Sequence, residues 1–221
     1  MVDYVICLGS DAGPDGLEHP HPSSSPPPSL HSRIDELLSS SDDDDHGPAA
    51  GSVNHTVYPA LRRMPIAISI ETEVVERTEE EARVQLGIWV AAQAKRIHML
   101  LGAAARQRIR GTGMGTEAEV EEDVRRILQR ALFPLLFVQT DTWTVYLARV
   151  SLVDNALPST GGPLRVHIYT SFVLGSTSSI VGIYTLLSGL GVLLDWVTTE
   201  YRRWWEAILD FAEGKEIGVV G

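Results

Sequence analysis

The sequence has a single cysteine, Cys7, among its 221 residues. An internal disulfide therefore cannot form, and this composition favours a reducing compartment, the cytoplasm or the nucleus. The first residues, MVDYVICLGSD, also lack the basic start and the long apolar stretch of a secretory signal peptide. We therefore expect an intracellular protein.

An uninterrupted apolar run long enough to cross a bilayer is also missing. The most apolar stretch, residues 180–194, is broken by Gly182, Ser188, Gly189 and Gly191. A spanning helix needs about 20 apolar residues. This stretch therefore predicts a buried core helix, and we expect no membrane partner.

Basic residues are nearly absent from residues 10–52, which hold nine acidic residues and one arginine, Arg33. Most of the net charge of −11 therefore lies in this segment, and the remainder of the chain is close to neutral. A dense basic patch is not visible in the sequence. Overall charge consequently argues neither for nor against a nucleic-acid partner.

The same segment has low sequence complexity, as in PHPSSSPPPSLHS and SSSDDDDHGPAAGS. Such compositions bury too little apolar surface to offset the entropy lost on ordering. We expect residues 10–52 to be a disordered insertion in one domain that spans residues 1–221, in which the short RIDELL could form a turn of helix. Its four histidines are expected to be solvated loop residues and not metal ligands: His19, His21, His31 and His46.

Periodicity predicts alternating strands and helices. Strands are expected at 2–8, 65–73, 133–153 (a pair turning near 140–142) and 164–177. Helices are expected at 78–101, 117–131 and 178–212, the last as one long helix or a broken pair. The glycine-rich GTGMG at 111–115 is expected to connect two helices. The aromatic set of the last helix predicts a docking face: Trp196, Tyr201, Trp204 and Trp205. The order of elements predicts an α/β fold with a central mixed β-sheet flanked by helices.

Acidic residues stand at the ends of two predicted strands. Glu71 and Glu73 end the run PIAISIETE on the same strand face, and Asp3 lies near the start of the first strand. Two interpretations stay open, because such acids are tolerated at a solvated strand end or beside a divalent cation. Gln85 lies at the border of the apolar stripe of the next helix, where an ordinary boundary amide is the alternative to a site residue.

The stretches MVDYVICL, NHTVYPALRRMPIAISIETE, EEARVQLGIWVAAQAKRI and LGSTSSIVGIYTLLSGLGVLLDW resemble the fungal PD-(D/E)XK nuclease-like proteins of the restriction-endonuclease-like superfamily. The resemblance covers most of the chain outside the acidic insertion. Such proteins usually carry a longer region ahead of the first strand. The resemblance implies a restriction-endonuclease-like fold and a nucleic-acid partner.

The same resemblance implies a site for Mg²⁺, with Mn²⁺ as the alternative, that hydrolyses phosphodiesters. Asp3, Glu71 and the Thr72 carbonyl would hold the metal, Glu73 would act on the attacking water, and Gln85 would orient a ligand or water. Position 73 usually holds lysine in this family, so the glutamate reverses a charge there. The second hypothesis is a degenerate nuclease fold that binds nucleic acid or protein without catalysis.

Overall fold

The computed structural model describes residues 3–9, 28–40, 51–73, 78–112, 116–152, 164–169 and 172–215. Six strands and five α-helices lie in these ranges. In chain order they are β1 (Tyr4–Cys7), α1 (Leu30–Ser40), β2 (Ile66–Glu73), α2 (Glu79–Thr112), α3 (Glu117–Arg130), β3 (Phe133–Gln139), β4 (Thr142–Leu152), β5 (Leu164–Ile168), β6 (Phe172–Ser176), α4 (Ile180–Trp196) and α5 (Arg202–Ala212).

The strands form one mixed sheet in the order β1-β2-β3-β4, with β5 and β6 both pairing along β4. Only β2 and β3 are parallel among the described strand pairs, and the others are antiparallel. A parallel pair needs a long crossover connection, which here is made by α2 and α3. The expected α/β fold, with a central mixed sheet flanked by helices, is confirmed.

Two apolar clusters cover the two faces of the sheet, because alternate residues of each strand point to opposite sides. Leu136 and Val138 of β3 belong to the larger cluster, together with α1 and α5. Leu135 and Phe137 belong to the smaller cluster, together with the first half of α2. The helix begins as expected, since Thr78 and Glu81 exchange capping hydrogen bonds of 2.9 and 3.3 Å. It continues past residue 101 to Thr112.

The segment expected to be a disordered insertion contains α1, which is part of the core. Leu30, Ile34, Leu37 and Leu38 are buried against the larger cluster. Arg33 forms ion pairs of 2.7 Å with Asp210 and 2.6 Å with Glu213. The turn allowed at RIDELL is an 11-residue helix, because the apolar spacing of LHSRIDELL places four apolar side chains on one helical face. Of the four histidines, His31 lies in α1 and the others lie outside the described residues.

The last helix corrects two further expectations. It runs from α4 through one π-helical turn, Val197–Tyr201, into α5 without a break. Residues 180–194 are mostly exposed, so the predicted buried core helix is wrong. The predicted aromatic docking face is also wrong, because Tyr201 and Trp205 are only 2% and 0% exposed. By length and composition alone the 33-residue helix could cross a membrane.

Candidate functional site

The residues of the ETE sequence occupy the last three positions of β2, between β1 and β3. Glu71 is opposite Phe137 of β3, and only 1% of it is exposed, whereas Thr72 is exposed. A strand with a neighbouring strand on each side keeps its side chains alternating between the two faces of the sheet up to its last residue. Glu71 therefore points into the space between the sheet and the first half of α2, on the same face as Ser69.

Asp3 lies at the same end of the sheet, one residue before β1. Its N–H donates to the Ile70 carbonyl at 3.1 Å, so the chain passes beside the end of β2. Asp3 Oδ2 accepts hydrogen bonds from the Thr72 N–H at 3.0 Å and from Thr72 Oγ1 at 2.5 Å. Thr72 projects from the face opposite to Glu71, so the hydroxyl that binds Asp3 lies on the side of β2 away from Glu71.

The surroundings of the Glu71 carboxylate disfavour its ionised form. Burial raises its pKa above the usual range, and the negative charges of Asp3 and Glu73 raise the pKa further. The nearby Gln85 amide opposes this shift. However, Glu71 Oε2 and Gln85 Nε2 are both buried without a hydrogen-bond partner, so the amide does not satisfy that oxygen. The site therefore contains an acceptor and a donor that are both unpaired.

A comparison with protein families shows to which family the chain belongs. The family model described as the PD-(D/E)XK nuclease superfamily matches residues 1–202, most of the sequence. The chain belongs to the PD-(D/E)XK nuclease superfamily. Neither a curated protein nor a solved structure matches it. The mixed sheet with flanking helices is consistent with the restriction-endonuclease-like fold of this superfamily.

PD-(D/E)XK nucleases generally use divalent metals, and the chemistry at the end of β2 fits such an ion. The unpaired Glu71 oxygen and the neighbouring carboxylates are the hard oxygen donors that Mg²⁺ prefers. No group of three or more His, Cys, Asp or Glu side chains is close enough to hold an ion among the described residues. The convergence of Asp3, Glu71, Glu73 and Gln85 on one ion stays a prediction.

At the beginning of β2, the end of the strand opposite to ETE, lies a polar network that sequence patterns did not predict. Asn54 is fully buried and accepts from the Ile66 N–H at 3.0 Å and from Gln93 Nε2 at 3.1 Å. Gln93 Oε1 also bonds His55 Nδ1 at 2.8 Å. The network attaches the loop before β2 to α2. The only available signal was a glutamine, Gln93, within an apolar helical stripe.

Proposed function

We propose that this protein is a Mg²⁺-dependent phosphodiesterase acting on nucleic acid, with its site at the end of β2. The observation that carries the proposal is the Glu71 carboxylate, which is 1% exposed, unpaired at Oε2 and adjacent to two further acids. A buried, unpaired carboxylate destabilises the fold. A divalent cation would remove that cost, and superfamily membership supports a nucleic-acid substrate.

The individual residues have distinct roles in this proposal. Glu71 and Asp3 would hold the metal, with the Thr72 carbonyl as a further ligand. Thr72 also positions Asp3 through its N–H and hydroxyl, both of which donate to Asp3 Oδ2. When bound, the cation would neutralise charge on the phosphate and make a bound water more acidic. Glu73 would accept a proton from the attacking water, and Gln85 would donate its unpaired Nε2–H to a ligand or water.

A second candidate function is a non-catalytic module that binds nucleic acid or protein. The residue at position 73 favours it, because a glutamate places a third negative charge where the family usually has a lysine. That charge raises the pKa of Glu71 and repels a phosphate when no cation is present. A module of this kind would bind nucleic acid in a salt-dependent manner that survives loss of the acids.

Nicking of supercoiled plasmid DNA, and cleavage of a single-stranded RNA, test the two functions in Mg²⁺ and in Mn²⁺. We expect the parent to cut one of these substrates and Glu71→Gln to abolish cutting. Glu80→Gln, an exposed acid on α2, is the matched control and should cut like the parent. A variant with both Asp3→Asn and Glu71→Gln that still cuts at the parental rate would refute the catalytic proposal.

Glu73 has a separate test, because it is proposed to move a proton and not to hold the metal. Glu73→Gln should lose cutting and keep the rise in melting temperature that Mg²⁺ produces in the parent. If the parent does not cut and Glu73→Lys does, the binding module is the better description of the natural protein. Equal cutting by the parent and Glu73→Gln would remove Glu73 from the mechanism.

A further inference from the structure

The inner strand β3 has a proline near its beginning, Pro134. A proline nitrogen carries no hydrogen, so it cannot donate to a neighbouring strand, and prolines are uncommon inside a sheet for this reason. Because β3 lies between β2 and β4, the missing donor leaves a carbonyl of one neighbouring strand without its usual hydrogen bond. The register of the strands identifies that carbonyl.

The carbonyl without a strand donor is that of Ala67 in β2. At the far end of the parallel pair, the Thr140 N–H donates to the Glu73 carbonyl at 3.5 Å. Hydrogen bonds of a parallel pair are evenly spaced, and counting back six residues on both strands leads from these atoms to the Pro134 nitrogen and the Ala67 carbonyl. The ladder accordingly begins one residue later on β3, at Leu135.

The Ala67 carbonyl is also shielded from solvent. Ala67 is only 2% exposed, and no other group among the described residues donates to its carbonyl oxygen. Buried backbone carbonyls nearly always accept a hydrogen bond from the protein or from an ordered water. A donor for this oxygen is therefore expected.

The His55 ring, in the loop before β2, supplies a second acceptor. Asn54 Oδ1 accepts from the Ile66 N–H at 3.0 Å, so Gln93 Nε2, 3.1 Å from the same oxygen, is a further donor to it. The other amide atom, Gln93 Oε1, is then an acceptor, and His55 Nδ1, 2.8 Å away, carries the proton. Burial lowers the pKa of His55, so the ring is neutral at pH 7 and Nε2 carries only a lone pair.

Both acceptors belong to residues that line one small cavity. Its walls include His55, Ala67, Ser69, Trp89 and Pro134, and its volume is about 10 Å³. The His55 ring stands edge-to-face against Trp89, with 4.3 Å between the ring centroids, which fixes the direction of Nε2. This nitrogen is buried and has no hydrogen-bond partner among the described residues. The cavity therefore combines two acceptors that lack a donor.

The size and chemistry of the cavity match a single water molecule. An internal water needs roughly 10–15 Å³ of such volume and about two to four polar partners. Water offers two hydrogens, one for each acceptor, and the Ser69 hydroxyl can donate to its oxygen. A metal ion fits less well, because none of the described residues around the cavity is acidic or a cysteine.

We propose that one water molecule occupies this cavity and donates to the Ala67 carbonyl and to His55 Nε2. The water replaces the hydrogen bond that Pro134 cannot supply to β2. It also attaches the loop before β2 to the sheet, whereas the Gln93 amide attaches the same loop to α2. The His55 ring is thus bonded at both nitrogens, and the site requires neither the metal nor the nucleic acid of the proposed function.

Nuclear magnetic resonance of the full ¹⁵N-labelled chain tests the proposal on the parent protein. Imidazole ¹⁵N–¹H spectra should show His55 protonated at Nδ1 and unprotonated at Nε2. His98 is the matched control, because its Nε2 lies 3.3 Å from the Glu121 carboxylate and must carry a proton. Cross-relaxation spectra should also show a long-lived water beside the His55 ring protons, and these signals should persist in chelator.

Pro134→Val supplies the missing N–H while it nearly keeps the side-chain volume. The new amide should donate to the Ala67 carbonyl, so we expect it to be protected from hydrogen exchange and the water signals at His55 to be lost. Pro59→Ala, at an exposed proline of the loop before β2, is the matched control and should keep the water signals.

Three results would overturn the proposal. The first is a His55 ring that is protonated at Nε2 in the parent. The second is a parent without a long-lived water at the His55 ring, or water signals that Pro134→Val leaves unchanged. The third is loss of the signals in chelator, which would assign the cavity to a metal ion. The first and third are read on the parent alone, so they hold even if Pro134→Val does not fold.

Discussion

Replacing Glu71 with glutamine should make the metal-free protein more stable while it removes the proposed function. The carboxylate is 1% exposed, and its Oε2 has no hydrogen-bond partner. Leaving a buried polar atom unpaired costs about 1–3 kcal/mol. Glutamine keeps the volume, removes the charge beside Asp3 and Glu73, and offers an oxygen to the unpaired Gln85 amide. Because 1 kcal/mol shifts the melting temperature of a domain of this size by about 2–4 °C, we expect a rise of roughly 5 °C.

The effect depends on pH in a direction that follows from the raised pKa of Glu71. The folded state binds the Glu71 proton more tightly than the unfolded chain, whose pKa has the ordinary value of 4.5. The stability contributed by this proton is present below pH 4.5 and is lost as the pH rises through the folded-state pKa. The advantage of Glu71→Gln should therefore be small at about pH 4 and reach its full size above the folded-state pKa.

The assay is thermal unfolding followed by circular dichroism from acid to mildly alkaline pH, with chelator and with Mg²⁺. The parent should gain stability from Mg²⁺, by about 2.7 kcal/mol at 100 times the dissociation constant. The gain should increase with pH as Glu71 loses its proton. Glu71→Gln should show no gain. A Glu71→Gln protein that melts below the parent at pH 8 in chelator would refute the argument, because the carboxylate would then be stabilising.

Three further substitutions test other contacts. Thr72→Val removes the hydroxyl that holds Asp3, so cutting should fall at least tenfold. The free energy of unfolding should fall by less than about 1 kcal/mol, because the Asp3–Thr72 pair is exposed. Thr72→Ser keeps the hydroxyl and should retain activity. Gly175→Ala places a methyl group 2.5 Å from the Leu186 backbone nitrogen, which should cost about 1–3 kcal/mol or more in urea unfolding. An unchanged urea midpoint would show that β6 and α4 can move apart at little cost in free energy. Asn54→Ala leaves several buried partners unpaired and should cost at least about 3 kcal/mol by the same measurement.

Much of the fold follows from local patterns that the sequence displays. Alternation in IAISIETE determines β2 and assigns Glu71 and Glu73 to one face. The Thr78–Glu81 pair marks the beginning of α2, and the apolar stripe that follows determines its buried side. These signals are local because hydrogen bonds in a helix and alternation in a strand involve neighbouring residues. They were sufficient for the α/β class and for the candidate acids.

Composition was a poor guide where an amphipathic segment is short. Helix α1 lies between low-complexity stretches that dominate any average over residues 10–52. Its Arg33 forms ion pairs with Asp210 and Glu213, about 180 residues away in sequence. A contact of that range cannot be inferred from neighbouring residues. The burial of α1 therefore depends on where α5 lies in the folded domain.

By itself, the sequence determined most of the strands and helices and which side of them is apolar, because these properties depend on nearest neighbours along the chain. The tertiary structure alone decided the environments. It buried Glu71 with Oε2 unpaired, turned Asp3 toward Thr72, and left most of α4 exposed while Tyr201 and Trp205 entered the core. The physical reason is that burial and pairing depend on which distant elements pack together, and that packing is a property of the whole fold.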